Sequence, residues 1–293
     1  MQPVSRRGFL ASGSIFVLAA CGNDSKGAAS ATGHQSGEVA TSDNGFVVVQ
    51  RFSQDVLVPG QVRLPISLAD KRSIRSDGPD VLDAKIYDTK TGKFQVAASA
   101  RKRRVSKSFV YWDFHVQLDT AGTYALVVNG GTPEGGAIQI NDPQDVTVPL
   151  SGQTLAPFDT PTTDDHRGVN PICTRLEGGP CPFHSLTLTA ALQLNKPVAY
   201  LVGTPAHCQF GTCAPGLEFL INASKRFGDK LVVVHAEVYT DDSATVPTPA
   251  VQALNIGFEP VLFLTDATGK IVKRLDAAWD QSELDETLDA LLA

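Results

Sequence analysis

From residue 45 to about residue 150, apolar and polar residues alternate with a period of two, in short runs broken by Gly, Pro, Asp and Asn. This is the pattern of strands with one buried face. The clearest run is Phe109 to Leu118, where Val110, Trp112, Phe114, Val116 and Leu118 fall on one face and Asp113, His115 and Gln117 on the other. The same alternation recurs at Val62, Leu64, Ile66 and Leu68, at Leu82, Ala84 and Ile86, and at Tyr124, Leu126 and Val128. No segment of helical period interrupts it. From residue 185 the pattern changes. Pro197 to Val202 and Leu231 to Val234 are continuous apolar runs suited to strands covered on both faces. Between them Leu217, Leu220, Ile221, Ser224 and Phe227 recur at helical spacing, with Pro215 placed where a first turn tolerates it. A short helix around Pro249 to Ile256 follows, then strands at Val261 to Leu264 and Lys270 to Leu275 about a turn at Asp266 to Gly269, and a last helix from Ser282 to Leu292. Ser185 is placed to cap an opening helix that ends near Asn195.

Two domains are therefore expected. Residues 45–150, with roughly seven short strands, read as an all-β immunoglobulin-like sandwich. The stretch Asp119 to Leu126 resembles the tyrosine corner of such sandwiches, in which the hydroxyl, here that of Tyr124, ties back to upstream backbone. Residues 185–293 run helix, strand, helix, strand, helix, two hairpin strands, helix, which resembles the α/β thioredoxin fold. Residues 151–184 form a Gly- and Pro-rich linker between them.

The amino terminus changes the compartment. Ser5-Arg6-Arg7-Gly8-Phe9-Leu10 matches a twin-arginine export signal, and the apolar run from Phe9 to Ala20 is too short to span a bilayer. Leu18-Ala19-Ala20-Cys21 resembles a lipobox, which implies that residues 1–21 are a signal and that Cys21 carries lipid. Residues 22–44 are polar and small and read as a disordered tether. The implied site is the outer face of the cytoplasmic membrane, as in thioredoxin-like lipoproteins of actinobacterial envelopes. With 25 Lys and Arg against 31 Asp and Glu, the net charge of −6 argues against nucleic-acid binding. The basic cluster Arg101-Lys102-Arg103-Arg104 with Lys107 reads as a solvated loop.

Beyond Cys21 four cysteines remain: Cys173, Cys181, Cys208 and Cys213. Outside the cytoplasm an even number suggests disulfides, and the short separations favour Cys173 with Cys181, as a structural staple, and Cys208 with Cys213. By the thioredoxin resemblance, Cys208-Gln-Phe-Gly-Thr-Cys213 stands where the family places its reactive pair, at the amino end of a helix, and Pro260 stands at its cis-proline. A helix amino end favours thiolate over thiol. Cys208 is then the nucleophile, Cys213 resolves the mixed disulfide, and His207 stands ready to lower the Cys208 pKa. The implied function is membrane-anchored thiol-disulfide exchange with extracytoplasmic protein thiols and disulfides, without a cofactor. The four residues between the cysteines depart from the family's two, and Val202 replaces the buried acid often found six residues before the first cysteine.

Two other readings stand beside it. One is a redox-silent docking lipoprotein. The other is a copper-delivery protein holding metal on Cys208, Cys213 and His207, with His184 and His235 as alternative third ligands, although the only methionine is Met1. A zinc site joining all four cysteines does not fit the spacings of tight zinc knuckles.

Overall fold

The computed structural model describes residues 39–43 and 45–293. The export signal, Cys21 and most of the tether lie outside the described residues. Among the described residues no helix is long and apolar enough to cross a membrane.

Seven strands fill the first half: β1 (Val47–Gln50), β2 (Gly60–Ala69), β3 (Val81–Asp88), β4 (Phe94–Arg104), β5 (Val110–Leu118), β6 (Gly122–Val128) and β7 (Gly136–Ile140). They make a large antiparallel sheet in the order β1-β2-β5-β4-β3-β6-β7. Strand β4 pairs with β3 from Phe94 to Arg101 and with β5 only from Lys102 to Arg104, so it joins two halves of the sheet. The alternating residues read from sequence pack into one core: Leu64, Ile66 and Leu68 of β2 and Trp112, Phe114 and Val116 of β5 meet Leu82, Ile86, Leu126 and Val128. The Tyr124 hydroxyl donates to the Thr120 carbonyl at 2.8 Å, the tie-back expected there.

The second half follows the order that the thioredoxin resemblance implies: α1 (Leu188–Leu192), β8 (Val198–Val202), α2 (Cys213–Phe227), β9 (Val232–Ala236), α3 (Pro249–Ala253), β10 (Val261–Thr265), β11 (Ile271–Asp276) and α4 (Gln281–Leu292). Its sheet runs β11-β10-β8-β9, with β8 and β9 parallel and the other pairs antiparallel. Every residue of β8 and β10 is buried, as continuous apolar runs require. Thr187, not Ser185, caps α1, its hydroxyl accepting from the Ala190 N–H.

Three expectations need correction. Residues 151–184 are not a free linker. Leu155, Val169, Ile172, Cys173, Cys181 and Phe183 are buried, and Thr154 bridges to Lys270 beside β11. The basic cluster is not a solvated loop, because it ends β4 and Arg103 is buried. Nor does the polar face of β5 meet solvent throughout: Tyr111 and Asp113 are buried beneath α4.

That buried face joins the halves, and Val39–Ala293 is one compact unit. Arg63 of β2 and Glu283 of α4 form a bidentate ion pair, with Nη2 to Oε2 at 2.8 Å, and the Tyr111 hydroxyl donates to the same carboxylate at 2.6 Å. Arg103 spends Nε on Asp113, Nη1 on the Ser282 hydroxyl and Nη2 on Glu286, each within 2.9 Å. Removing one member of a buried pair leaves the other charge desolvated and uncompensated, at a cost of about 3–5 kcal/mol. Glu283→Ala is accordingly expected to lose about that much unfolding free energy in urea titrations, and the double replacement Arg63→Met with Glu283→Leu to lose less. A single variant within the error of the parent would refute this account of the interface.

Candidate functional site

Cys208 and Cys213 are joined by a disulfide with Cα atoms 5.9 Å apart. Cys213 is the first residue of α2, and Cys208 lies in the loop before it, so Pro215 falls in the first turn as expected. Exposure separates the two sulfurs: Cys208 is half-buried and Cys213 is buried. The Cys213 N–H, one of the unpaired amides at the helix start, points at Cys208 Sγ from 3.2 Å. A negative charge on the accessible sulfur is thus met by a fixed dipole. Phe210, between the two cysteines, is exposed.

The Glu259–Pro260 bond is cis, as the Pro260 expectation requires. Pro260 faces the cysteine pair across Gly203, where β8 leaves the sheet. A Cβ at position 203 would stand 3.2 Å from Pro260 Cβ and 3.6 Å from Cys213 Sγ. A side chain there would crowd Pro260 by a few tenths of an ångström.

The buried acid missing at Val202 is supplied from another element. Glu259 Oε2 stands 3.4 Å from Cys213 Sγ and accepts the Thr204 N–H at 2.7 Å. Burial pushes its carboxyl up to about 7; the Thr204 amide opposes that shift, and buried Glu237 adds to it. Sequence reasoning missed Glu259 because it looked a fixed number of residues before Cys208. The legible signal was an acid directly preceding the cis-proline.

His207 does not join this group. Its Nε2 faces Asp242 Oδ1 at 3.8 Å, and among the described residues the donor brought together with Cys208 and Cys213 is Glu259. His184 and His235 also lie elsewhere.

The Cys173 and Cys181 expectation fails in a specific way. They are free thiols, both buried, and they face His184 and His235 rather than sharing a bond. Cys181 Sγ is 3.3 Å from His184 Nε2 and 3.5 Å from His235 Nδ1; Cys173 Sγ is 3.8 Å from His235 Nδ1. A hydrogen bond from Cys181 pulls Cys173 well below the ordinary thiol range, and the same bond pushes Cys181 up. Burial pushes His184 down, whereas in His235 the thiolate and nearby Glu237 outweigh burial and raise it. The segment from 173 to 184 meets β9 through the His235 N–H to the Phe183 carbonyl, which places the His235 ring beside both sulfurs.

The two groups adjoin. His235 Nε2 hydrogen-bonds the Gly203 carbonyl at 2.9 Å, and the Thr174 hydroxyl accepts the Ala206 N–H at 3.2 Å. Arg175 clamps the same turn to α2 through a bidentate pair with Glu218, at 2.6 and 2.9 Å.

No protein-family model matches the chain, and no curated protein matches it. Among solved structures it is similar to a thiol:disulfide interchange protein of the thioredoxin family from Chlorobium tepidum TLS, with 14% identity and a TM-score of 0.34, over 50% of this chain and 99% of that one.

The crossing at Gly203 yields a direct test. Adding a methyl group there overpacks the contact between Pro260 and Cys213, and such insertions cost about 1–3 kcal/mol. Gly203→Ala is expected to lower stability by that amount in denaturant melts. A variant as stable as the parent would show that the two groups give way freely.

Proposed function

We propose that this chain is a thiol-disulfide exchange protein of the thioredoxin-like class, exported by the twin-arginine route and held at the outer face of the cytoplasmic membrane by lipid on Cys21. Its strand-rich half would be an immunoglobulin-like sandwich, and its partners would be extracytoplasmic protein thiols and disulfides. The observation that carries the exchange reading is the asymmetric pair. A half-buried Cys208, aimed at by a helix-start amide, is bonded to a buried Cys213 opposite cis-Pro260.

In the reductive direction the Cys208 thiolate attacks one sulfur of a partner disulfide. A Cys208–partner bond forms, and the partner's other sulfur leaves as a thiolate. The Cys213 thiol then passes its proton to the Glu259 carboxylate, 3.4 Å away, and its sulfur attacks Cys208 Sγ. The internal disulfide is restored and the second partner thiolate leaves. Two electrons pass to the partner, whose thiolates take up the proton held on Glu259 and one from water. A partner dithiol drives the same steps backward and is itself oxidised. Exposed Phe210 offers an apolar contact for the incoming chain.

Trapping tests the pair. Cys213→Ser is expected to accumulate mixed disulfides through Cys208 in intact cells, and these should disappear when Cys208→Ser is added. The trapped species should follow the membrane fraction and leave it when Cys21→Ala is introduced. Recovery of no mixed disulfide, with Cys208 alkylatable in the same cells, would sink the exchange reading.

A second test addresses Glu259. Its carboxyl must be ionised to accept the Cys213 proton, so resolution is slow below the Glu259 pKa and fast above it. The charged or titratable groups around it are Cys213, Glu237 and Tyr239. Release of a chromogenic thiol from a Cys208 adduct is expected to rise with pH through about 7 and then level. Glu259→Gln should remove that inflection and slow release by about 100-fold. The same inflection in the glutamine variant would assign it to another group.

A further inference from the structure

The geometry points to a closed tetrahedral zinc site formed by Cys173, Cys181, His184 and His235, separate from the Cys208 pair. Four donor atoms of the types that zinc prefers lie within 4.8 Å of one another, on residues that are all buried. Zinc holds thiolate sulfur at about 2.3 Å and imidazole nitrogen at about 2.0–2.1 Å, so tetrahedral angles place two nitrogens about 3.3–3.4 Å apart and a sulfur and a nitrogen about 3.5–3.6 Å apart. The His184 Nε2 to His235 Nδ1 separation is 3.3 Å, and three of the four sulfur–nitrogen separations are 3.3, 3.5 and 3.8 Å, the fourth lying within 4.8 Å. The edges therefore suit an ion at the centre.

The surroundings orient His235 and Cys173 as a metal site requires, while buried His184 Nδ1 has no hydrogen-bond partner among the described residues. The Nε2–H of His235 donates to the Gly203 carbonyl at 2.9 Å, which leaves the Nδ1 lone pair facing the sulfurs. The backbone N–H of Cys181 points at Cys173 Sγ from 3.4 Å and stabilises a thiolate there. Glu237, two residues beyond His235, takes the backbone and hydroxyl donors of Thr174 and so fixes the chain beside Cys173. Two thiolates balance the double charge of the ion, and any proton that the thiols still hold is released on loading. Soft sulfur with imidazole in a closed four-ligand set selects zinc over magnesium or calcium, which take oxygen. With no open position the ion is structural: it fastens the turn from 173 to 184 onto β9.

Metal analysis of the full chain, purified under reducing conditions without an added chelator, is expected to give one zinc per chain. Cobalt(II) titrated into the demetallated protein should produce the absorption bands of a tetrahedral S2N2 site, saturating at one equivalent. Cys181→Ser and His235→Ala should each weaken binding by more than about 100-fold, beyond the loss that removal of an outer-shell partner causes. The double variant Cys208→Ser with Cys213→Ser should keep the full stoichiometry, so the zinc reading stands or falls independently of the exchange reading. Three results would overturn it: no tetrahedral cobalt spectrum from the reduced parent, loss of metal in the Cys208 and Cys213 double variant alone, or a Cys173–Cys181 disulfide in protein isolated from cells. The cobalt titration of the parent decides the matter even where a ligand variant fails to fold.

Discussion

Where β8 leaves the sheet, the chain must pass between Pro260 and the Cys213 sulfur, and Gly203 is the residue that lets it through. Its backbone is fully engaged. The N–H bonds the Ala236 carbonyl of β9 and the carbonyl accepts from His235, so one side of the residue serves the cysteine–histidine group while the bare Cα serves the disulfide. Thr204 continues the same role. Its N–H holds the Glu259 carboxylate and its hydroxyl accepts the Val238 N–H, which ties the ends of β8 and β9 to the residue before the cis-proline. The geometry of both cysteine groups is thus referred to two consecutive backbone residues rather than to flexible side chains.

A second constraint acts from the other end of α2. That helix packs on α4 through Leu217, Leu220, Ile221, Leu284 and Leu288, and Arg226 reaches Asp285 and Asp289. Helix α4 is fixed to the strand-rich half by Arg63, Arg103 and Tyr111, and the Asp280 N–H that opens it donates to the Tyr111 hydroxyl. Position therefore passes from the seven-stranded sheet through α4 to α2, whose first residue is Cys213. The first half is thus fastened to the helix that packs against α2.

The alternation of Val110, Trp112, Phe114 and Val116, and the apolar runs of β8 and β10, were legible because burial imposes period two on one kind of strand and continuity on the other. The order of elements was legible for the same local reasons, whereas Pro260 was placed only by the thioredoxin resemblance. What the sequence could not display was contact across the fold. Arg103 and Asp113 read as solvent-facing because a charged side chain looks the same whether water or a buried partner compensates it. Cys173 and Cys181 read as a pair because separation along the chain was the available measure, while the ring that stands beside both sulfurs comes from His235, 54 residues beyond Cys181. The Cys181-Pro-Phe-His184 spacing carried a ligand signal that tests framed on cysteines alone passed over.

The two cysteine groups differ in what compensates a sulfur anion. At Cys173 and Cys181 burial excludes protein partners, and two imidazoles stand beside the sulfurs, which suits the proposed closed complex. At Cys208 and Cys213 the compensation is divided. The accessible sulfur faces a backbone N–H that no change of pH removes, and the buried sulfur faces a carboxylate that can hold a proton. In the proposed exchange, attack from outside would begin on a sulfur met by a permanent dipole, and closure of the internal bond would wait on a group that titrates. Glu259 lies 3.4 Å from the buried sulfur and within 4.8 Å of the Cys208 sulfur, so in the proposed exchange its charge bears most on the second step and also on the first.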